Sequence, residues 1–362
     1  MFFSLSHTDL DGYSCQFLLN RAHKDITFFN SGYGKAISDN LSNIFEVITK
    51  EDTLYITDLN LTIEQSDLLN LKQAEKGFTL VLIDHHETGK PSAQKYEWYN
   101  LDISMSATKA VYLYLIEKNL IEKSNDLDFF VDCVNSLDMW EQTPKNLLSN
   151  THIPKENFII IGSSLSQNVV FGKRNYFPKI FEKENRELIF YILDNSVFLL
   201  QKESIMYFEE KIYNITRKFL GGNYKVSVFN QDKQNNSPLH ILKADFLAKK
   251  VWDKNIFKEV KINFQDNEYK GMIFFGLDSI FQDFSHKLLE KNKTLDFVVN
   301  INEFGRLSFR SIRKFRMNYM VAALFNGGGH ENACGGSLFE EYNKRTQEEC
   351  FSQFEFLTNN EV

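Results

Sequence analysis

With 362 residues and a net charge of −7, the chain is long enough for two cores and too acidic to coat nucleic acid by electrostatics. Cys15, Cys133, Cys334 and Cys350 are scattered without a Cys-x-x-Cys pair, so neither a disulfide framework nor a zinc ribbon is indicated. The first residues lack the basic and apolar regions of a signal peptide, and no apolar run approaches the ~20 residues of a membrane helix. A cytoplasmic protein without membrane contact is the expectation.

Taken in chain order, Phe2 to Leu5, Leu54 to Ile56 and Leu80 to Ile83 are nearly continuous apolar runs of the kind that form buried parallel strands. Each run ends in metal-type ligands: His7-Thr8-Asp9-Leu10-Asp11-Gly12, then Thr57-Asp58, then Asp84-His85-His86. Taken singly these are a strand-end histidine, a helix-capping Asp and a turn. Jointly they predict a metal site, because an open parallel sheet binds its ligands just outside the carboxyl ends of its strands. Carboxylates mixed with imidazoles, without thiolate, suit Mn²⁺, Mg²⁺ or Fe²⁺. A hydrolytic pair of cations ~3.5–4 Å apart needs a bridge, and Asp58, alone after a central strand, is the natural one.

Helical stretches at Gly12–Ala22, Thr62–Lys76 and Ser106–Asn119 alternate with these strands, predicting a doubly wound parallel-sheet α/β domain over residues 1–150. The Ser104–Thr108 segment opens a helix, with an N-cap as its simplest role. Asp128 and Asp132 read as ordinary polar positions on a helix. Residues 151–221 form a connecting region, with Phe158 to Gly162 a strand candidate and Asn185 to Leu220 helical up to Gly221-Gly222. Strands then follow at Tyr224–Phe229, Met272–Phe275, Phe297–Ile301, Leu307–Ser311 and Gly336–Phe339, with helices at Ala244–Trp252 and Ser279–Glu290. That predicts a smaller α/β domain over 222–345 and a C-terminal helix over 346–362. A long helix joining the two lobes would set an active site in the cleft between them.

These motifs resemble the DHH phosphoesterases with a C-terminal DHHA1 domain. The likeness spans almost the whole chain with the motifs in order: His7, Asp9 and Asp11, then Asp58, then Asp84-His85-His86, then Asp138 beside Met139-Trp140, and finally Gly327-Gly328-Gly329-His330-Glu331-Asn332-Ala333. A single residue, Thr8, separates the first His and Asp where many relatives have more, and this compact form is similar to the NrnB-type oligoribonucleases. The resemblance implies two divalent cations, most simply Mn²⁺. His7 and Asp9 would hold one and Asp11, His85 and Asp138 the other, with Asp58 between them. It further implies that Asp84 supports the site and that His86 meets the reacting phosphate or protonates the leaving oxygen. Thr108 is a minor candidate for a phosphate contact.

On the second domain the resemblance assigns substrate binding to Arg310, Ser311, Gly327, Gly328, Gly329 and His330. Glycines expose backbone N–H groups to an anion, and Arg suits a bidentate phosphate contact. Arg313, Lys314 and Arg316 read as a solvated face, and His23, His152, His240 and His286 carry no functional reading. The implied activity is a manganese-dependent phosphodiesterase that releases nucleoside 5′-monophosphates from short RNAs. Alternatives are cyclic or linear dinucleotides, cyclic mononucleotides or 3′-phosphoadenosine 5′-phosphate as substrate, and, in another class, a catalytically dead nucleotide-binding module. A RecJ-like enzyme on long strands is disfavoured by the charge, and a homodimer is left open.

Overall fold

The computed structural model describes residues 1–140, 156–169, 181–199, 205–220, 246, 250–278, 281–311 and 317–359. The readings at Tyr224–Phe229, Gly221-Gly222, most of Ala244–Trp252, and Arg313, Lys314 and Arg316 lie outside the described residues. The chain divides into two units, one of Met1–Lys173 with Arg186–Thr216, the other of Arg174–Asn185 with Arg217–Val362. No described helix is long and apolar enough to cross a membrane.

The first unit is built on a five-stranded parallel sheet. Its strands β1 (Phe2–Ser6), β2 (Ile26–Asn30), β3 (Thr53–Thr57), β4 (Thr79–Asp84) and β5 (Tyr99–Leu101) lie in the order β2-β1-β3-β4-β5. The order reverses between β1 and β3, which makes that edge the topological switch point where such sheets bind ligands. Register does the rest: Ser6 pairs with Thr57, and Thr57 with Ile83. The residues just past β1, β3 and the last of β4 therefore emerge side by side. Below them the strands are sealed by apolar burial, with Leu5, Leu54, Ile56 and Leu82 fully excluded from solvent.

Helices cover the sheet: α1 (Leu10–Ala22), α2 (Lys35–Val47), α3 (Ile63–Lys76), the short α4 (Lys90–Lys95), α5 (Ala107–Glu117) and α6 (Asn125–Asp138). Ile37, Leu41 and Ile44 of α2 and Leu69 of α3 join Phe3, Leu5 and Leu54 in one core. Helix α1 packs on α5 and α6, with Phe17 edge-on to Phe130 at 5.6 Å. Further on come α7 (Glu156–Val169), α8 (Glu182–Leu199) and α9 (Ile205–Phe219), the last two covering most of the stretch read as helical over 185–220. The strand expected at Phe158 to Gly162 is instead the interior of α7, a correction considered in the Discussion.

The second unit holds a mixed six-stranded sheet in the order β10-β11-β9-β8-β7-β6. Its strands are β6 (Phe257–Phe264), β7 (Asn267–Phe275), β8 (Phe297–Ile301), β9 (Arg306–Arg310), β10 (Gly328–His330) and β11 (Ala333–Ser337). Described helices of this unit include α10 (Phe281–Lys291), α11 (Met317–Phe325) and α12 (Gln347–Asn359). Phe297, Val299 and Phe309 of the sheet pack with Met320 and Phe325 of α11 and Phe354 of α12. Two positive-φ residues, Gln265 and Asp266, close the β6–β7 hairpin. The late strand expected at Gly336–Phe339 is β11 and begins earlier, at Ala333, where it pairs with Arg310.

Candidate metal centre

The segment after β1 turns directly into α1. The Asp9 carboxylate caps that helix, accepting from the Gly12 N–H at 3.0 Å. A Cβ on Gly12 would lie 2.3 Å from the His7 carbonyl oxygen, so only glycine lets the helix start this close to the strand. Beneath, the Ser6 hydroxyl donates to the Gly12 carbonyl at 2.9 Å and accepts from the Thr57 hydroxyl at 2.8 Å, tying the ends of β1 and β3 together.

Asp11 is fixed from the other side. Its carboxylate accepts the N–H groups of Ala107 and Thr108, the first two residues of α5, both at 2.9 Å. A helix N-terminus is a natural seat for a carboxylate. The Thr108 hydroxyl donates to the Asp11 carbonyl at 2.9 Å and is fully buried. Thr108, a minor candidate for a phosphate contact, thus holds Asp11 through both its N–H and its hydroxyl. Asn135 of α6 accepts the Ser106 N–H at 2.8 Å, and the same helix ends at Asp138.

The side chains so placed form one cluster. His7 Nδ1 lies 2.8 Å from Asp9 and 3.7 Å from Asp58 Oδ2, while His85 Nε2 lies 3.3 Å from Asp58 Oδ1, 3.4 Å from Asp138 and 3.7 Å from Asp11. Asp58 thus turns one oxygen toward each histidine. It is 1% exposed, has a left-handed backbone (φ 56°), and donates its N–H to the Ile83 carbonyl at 3.1 Å. His7, Asp9 and Asp58 form one group of potential ligand atoms, and Asp11, His85 and Asp138 another. His86 also comes within reach of Asp58 and His85.

The donor set fits cations. Burial together with Asp11, Asp9 and Asp138 pushes the Asp58 carboxyl well above its usual range. Burial and the neighbouring Asp11 and Asp9 push Asp138 up to about 8. Asp11 rises as well, chiefly by burial, whereas Asp9 falls to about 2 because its contacts with His7 and Gly12 outweigh its own burial. Crowded, desolvated carboxylates of this kind raise one another's pKa unless positive charge intervenes. Asp58 Oδ2 is also buried without a hydrogen-bond partner, a lone pair that a cation would satisfy.

Asp84 faces away from this cluster. It is fully buried, accepts from His86 Nδ1 at 2.7 Å through one oxygen, and from the Tyr99 hydroxyl at 2.7 Å through the other. That pairing raises the His86 pKa above its ordinary value. His86 Nε2 lies 2.9 Å from the Tyr33 hydroxyl. Sequence reasoning missed both tyrosines; Tyr33 between Gly32 and Gly34, just after β2, was the available signal. Asp128 and Asp132, read as ordinary polar positions on a helix, lie on α6 and are buried there, Asp128 against Tyr112 at 2.8 Å and Asp132 against Lys109 at 3.3 Å.

In the second unit, Arg310, Ala333 and His330 face one another across β9, β11 and β10. Arg310 donates to the Phe309 carbonyl at 2.7 Å, and Ser311 donates its hydroxyl to the Asp296 carbonyl at 2.7 Å. Within the glycine motif, Gly328 to His330 form β10, and Glu331-Asn332 turn the chain into β11. A Cβ at Gly327 would lie 2.0 Å from Gly335 O and one at Gly329 2.5 Å from Ala333 O, whereas one at Gly328 would meet nothing.

No family model matches the chain. A 3′,5′-cyclic-nucleotide phosphodiesterase of Helicobacter pylori is 28% identical over 99% of both chains. The oligoribonuclease NrnB of Bacillus subtilis is 33% identical over 151 residues, 39% of this chain and 37% of that one. A crystal structure of an uncharacterized protein from Helicobacter pylori G27 has the same fold, with a TM-score of 0.70, 25% identity and 99% of each chain covered. Relatives named for phosphodiester hydrolysis, one of them aligned over 99% of both chains, mark the chain as a phosphoesterase enzyme, and its ordered motifs and His–Asp cluster resemble those of the DHH phosphoesterases.

Proposed function

We propose that the enzyme is a dinuclear-metal phosphodiesterase that breaks the P–O3′ bond of small nucleotide substrates and releases nucleoside 5′-monophosphates. The observation that carries this reading is Asp58, whose two carboxylate oxygens face two separate His–Asp groups. His7, Asp9 and Asp58 would hold one divalent cation, and Asp11, His85, Asp138 and Asp58 the other, with Mn²⁺ suited to the mixed oxygen and nitrogen donors. Such a pair supplies a water made nucleophilic near neutral pH and neutralises charge on the phosphoryl oxygens. His86, with its ring anchored on Asp84, offers Nε2 to a phosphoryl or leaving oxygen.

In this reading residues 1–150 are the catalytic domain, 151–221 a helical linker, 222–345 the substrate-binding domain and 346–362 a C-terminal helix. Arg310 and His330 would grip a substrate phosphate. They lie two strands apart, about 10 Å by sheet spacing, with only the small Ala333 between them. Ser311 and the Gly327–Gly329 backbone would frame that slot. The four buried free thiols agree with a cytoplasmic setting.

Short oligoribonucleotides are the first substrate reading. The relative aligned over the whole chain favours a second, 3′,5′-cyclic nucleotides, and opening those to 5′-monophosphates breaks the same bond. A product time course with Mn²⁺ on dinucleotides, longer oligomers, cyclic mono- and dinucleotides and 3′-phosphoadenosine 5′-phosphate separates the two. Rapid conversion of a dinucleotide or a cyclic nucleotide to 5′-monophosphates is expected, with slower action on longer strands. Faster degradation of a long strand with a steep salt dependence would favour a RecJ-like exonuclease. Binding without turnover of any substrate would favour a dead module.

A further inference from the structure

The loop between β2 and α2 places a side chain on the active-site histidine that no motif announces. Tyr33 is 46% exposed, yet its ring lies against His7 with centroids 4.7 Å apart and edge-on to His86 at 5.7 Å. Its hydroxyl reaches His86 Nε2 at 2.9 Å. On the far side of the same imidazole, Asp84 holds Nδ1 at 2.7 Å and is itself held by Tyr99 at 2.7 Å. Both nitrogens of His86 are therefore occupied, and the ring has no free rotation about its own axis. Space around the loop is open, since a Cβ at Gly32 or Gly34 would meet nothing within 4 Å.

We propose that Tyr33 is a positioning residue for His86, fixing the direction of Nε2 before substrate arrives and keeping its hydroxyl beside that nitrogen while a phosphate oxygen approaches. Nδ1 is committed to a buried carboxylate, so any contact between His86 and the reacting phosphate must use Nε2, the atom Tyr33 now holds. A ring already aimed spares the ordering that an untethered imidazole would require in the transition state. The proposal rests on the phosphodiesterase reading for its kinetic consequence and on the Tyr33–His86 contact alone for its structural one.

Two measurements on Tyr33→Phe, which keeps the ring and removes the hydroxyl, test it separately. In metal-free protein labelled with ¹⁵N in histidine, the His86 Nε2 resonance should shift while Nδ1 keeps the signature of its bond to Asp84. In steady state, kcat should fall about tenfold, the loss of one net hydrogen bond at its upper range. KM should change by less than about twofold, and metal content should match the wild type. In a His86→Ala background the same substitution should change kcat by less than about twofold, because Tyr33 acts through His86. An unmoved Nε2 resonance overturns the proposal. So does an equal loss in the His86→Ala background, or a lowered KM with undiminished kcat, which would mark Tyr33 as a plug. If the wild type turns over no nucleotide, the function reading fails, and the resonance still decides whether Tyr33 holds His86.

Discussion

Single carboxylates carry the chemistry, and two predictions belong at this scale. Asp58→Asn keeps the shape of the side chain and removes its charge. Bound Mn²⁺ and turnover should both fall by at least about 100-fold, while the circular dichroism spectrum is retained, because the residue sits past the strand and outside the core. A folded variant with normal turnover would end the bridging role. Asp138 supplies the second. Its carboxyl stands at about 8 in the metal-free chain against an ordinary 3.8, raised by burial and by Asp11 and Asp9. A raised folded pKa stabilises fully below the ordinary value, and that contribution is lost as the pH climbs through about 8. The metal-free protein should therefore lose thermal stability over that window, and Mn²⁺ should restore it by taking the proton's place. Calorimetry in buffers of different ionisation enthalpy should show protons released on metal binding.

Among the elements, the β1–α1 junction is the most exposed to error. Gly12→Ala would push a Cβ against the His7 carbonyl, which accepts from the Asn30 side-chain amide at 3.2 Å, while the Ser6 hydroxyl holds the Gly12 carbonyl from beneath. The expected cost is about 1–3 kcal/mol of stability, with a loss of Mn²⁺ affinity because His7 moves with its carbonyl. Thermal melts and metal titration would check both. This junction was legible in the sequence, since an apolar run ending in His-x-Asp-x-Asp-Gly permits little else. The strand expected at Phe158 to Gly162 was not. Phe158, Ile161 and Leu165 are buried at helical spacing in α7, but the unbroken apolar run Phe158-Ile159-Ile160-Ile161 is too short for periodicity to tell strand from helix. β10 was hidden because its glycines read as an anion-binding backbone, while the close approach of β11 leaves no room for a Cβ at Gly327 or Gly329. Tyr33 and Tyr99 could not be read at all, because their partners lie 53 and 15 residues away along the chain.

At the scale of the whole molecule the proposed function divides its labour between the two units. Among the described residues, the candidate metal ligands lie in the first, and the Arg310–His330 row in the second. Arg310→Ala and His330→Ala should each lower kcat/KM about 10- to 100-fold, the value of one charge-assisted phosphate contact, with metal content unchanged. Loss of metal in either variant would show that the division is wrong. The backbone at Asp58 has a consequence of a different sort. A left-handed φ of 56° is tolerated by Asp, Asn and Gly and resisted by longer or branched side chains. The proposed bridging role demands a carboxylate there, and the backbone resists Glu, so the two requirements together leave Asp as the favoured choice. A lineage that needed a wider or narrower gap between its cations could not easily adjust it by exchanging this ligand. It would have to move the strands themselves, and the distance between the two binding groups is in that sense inherited from the sheet.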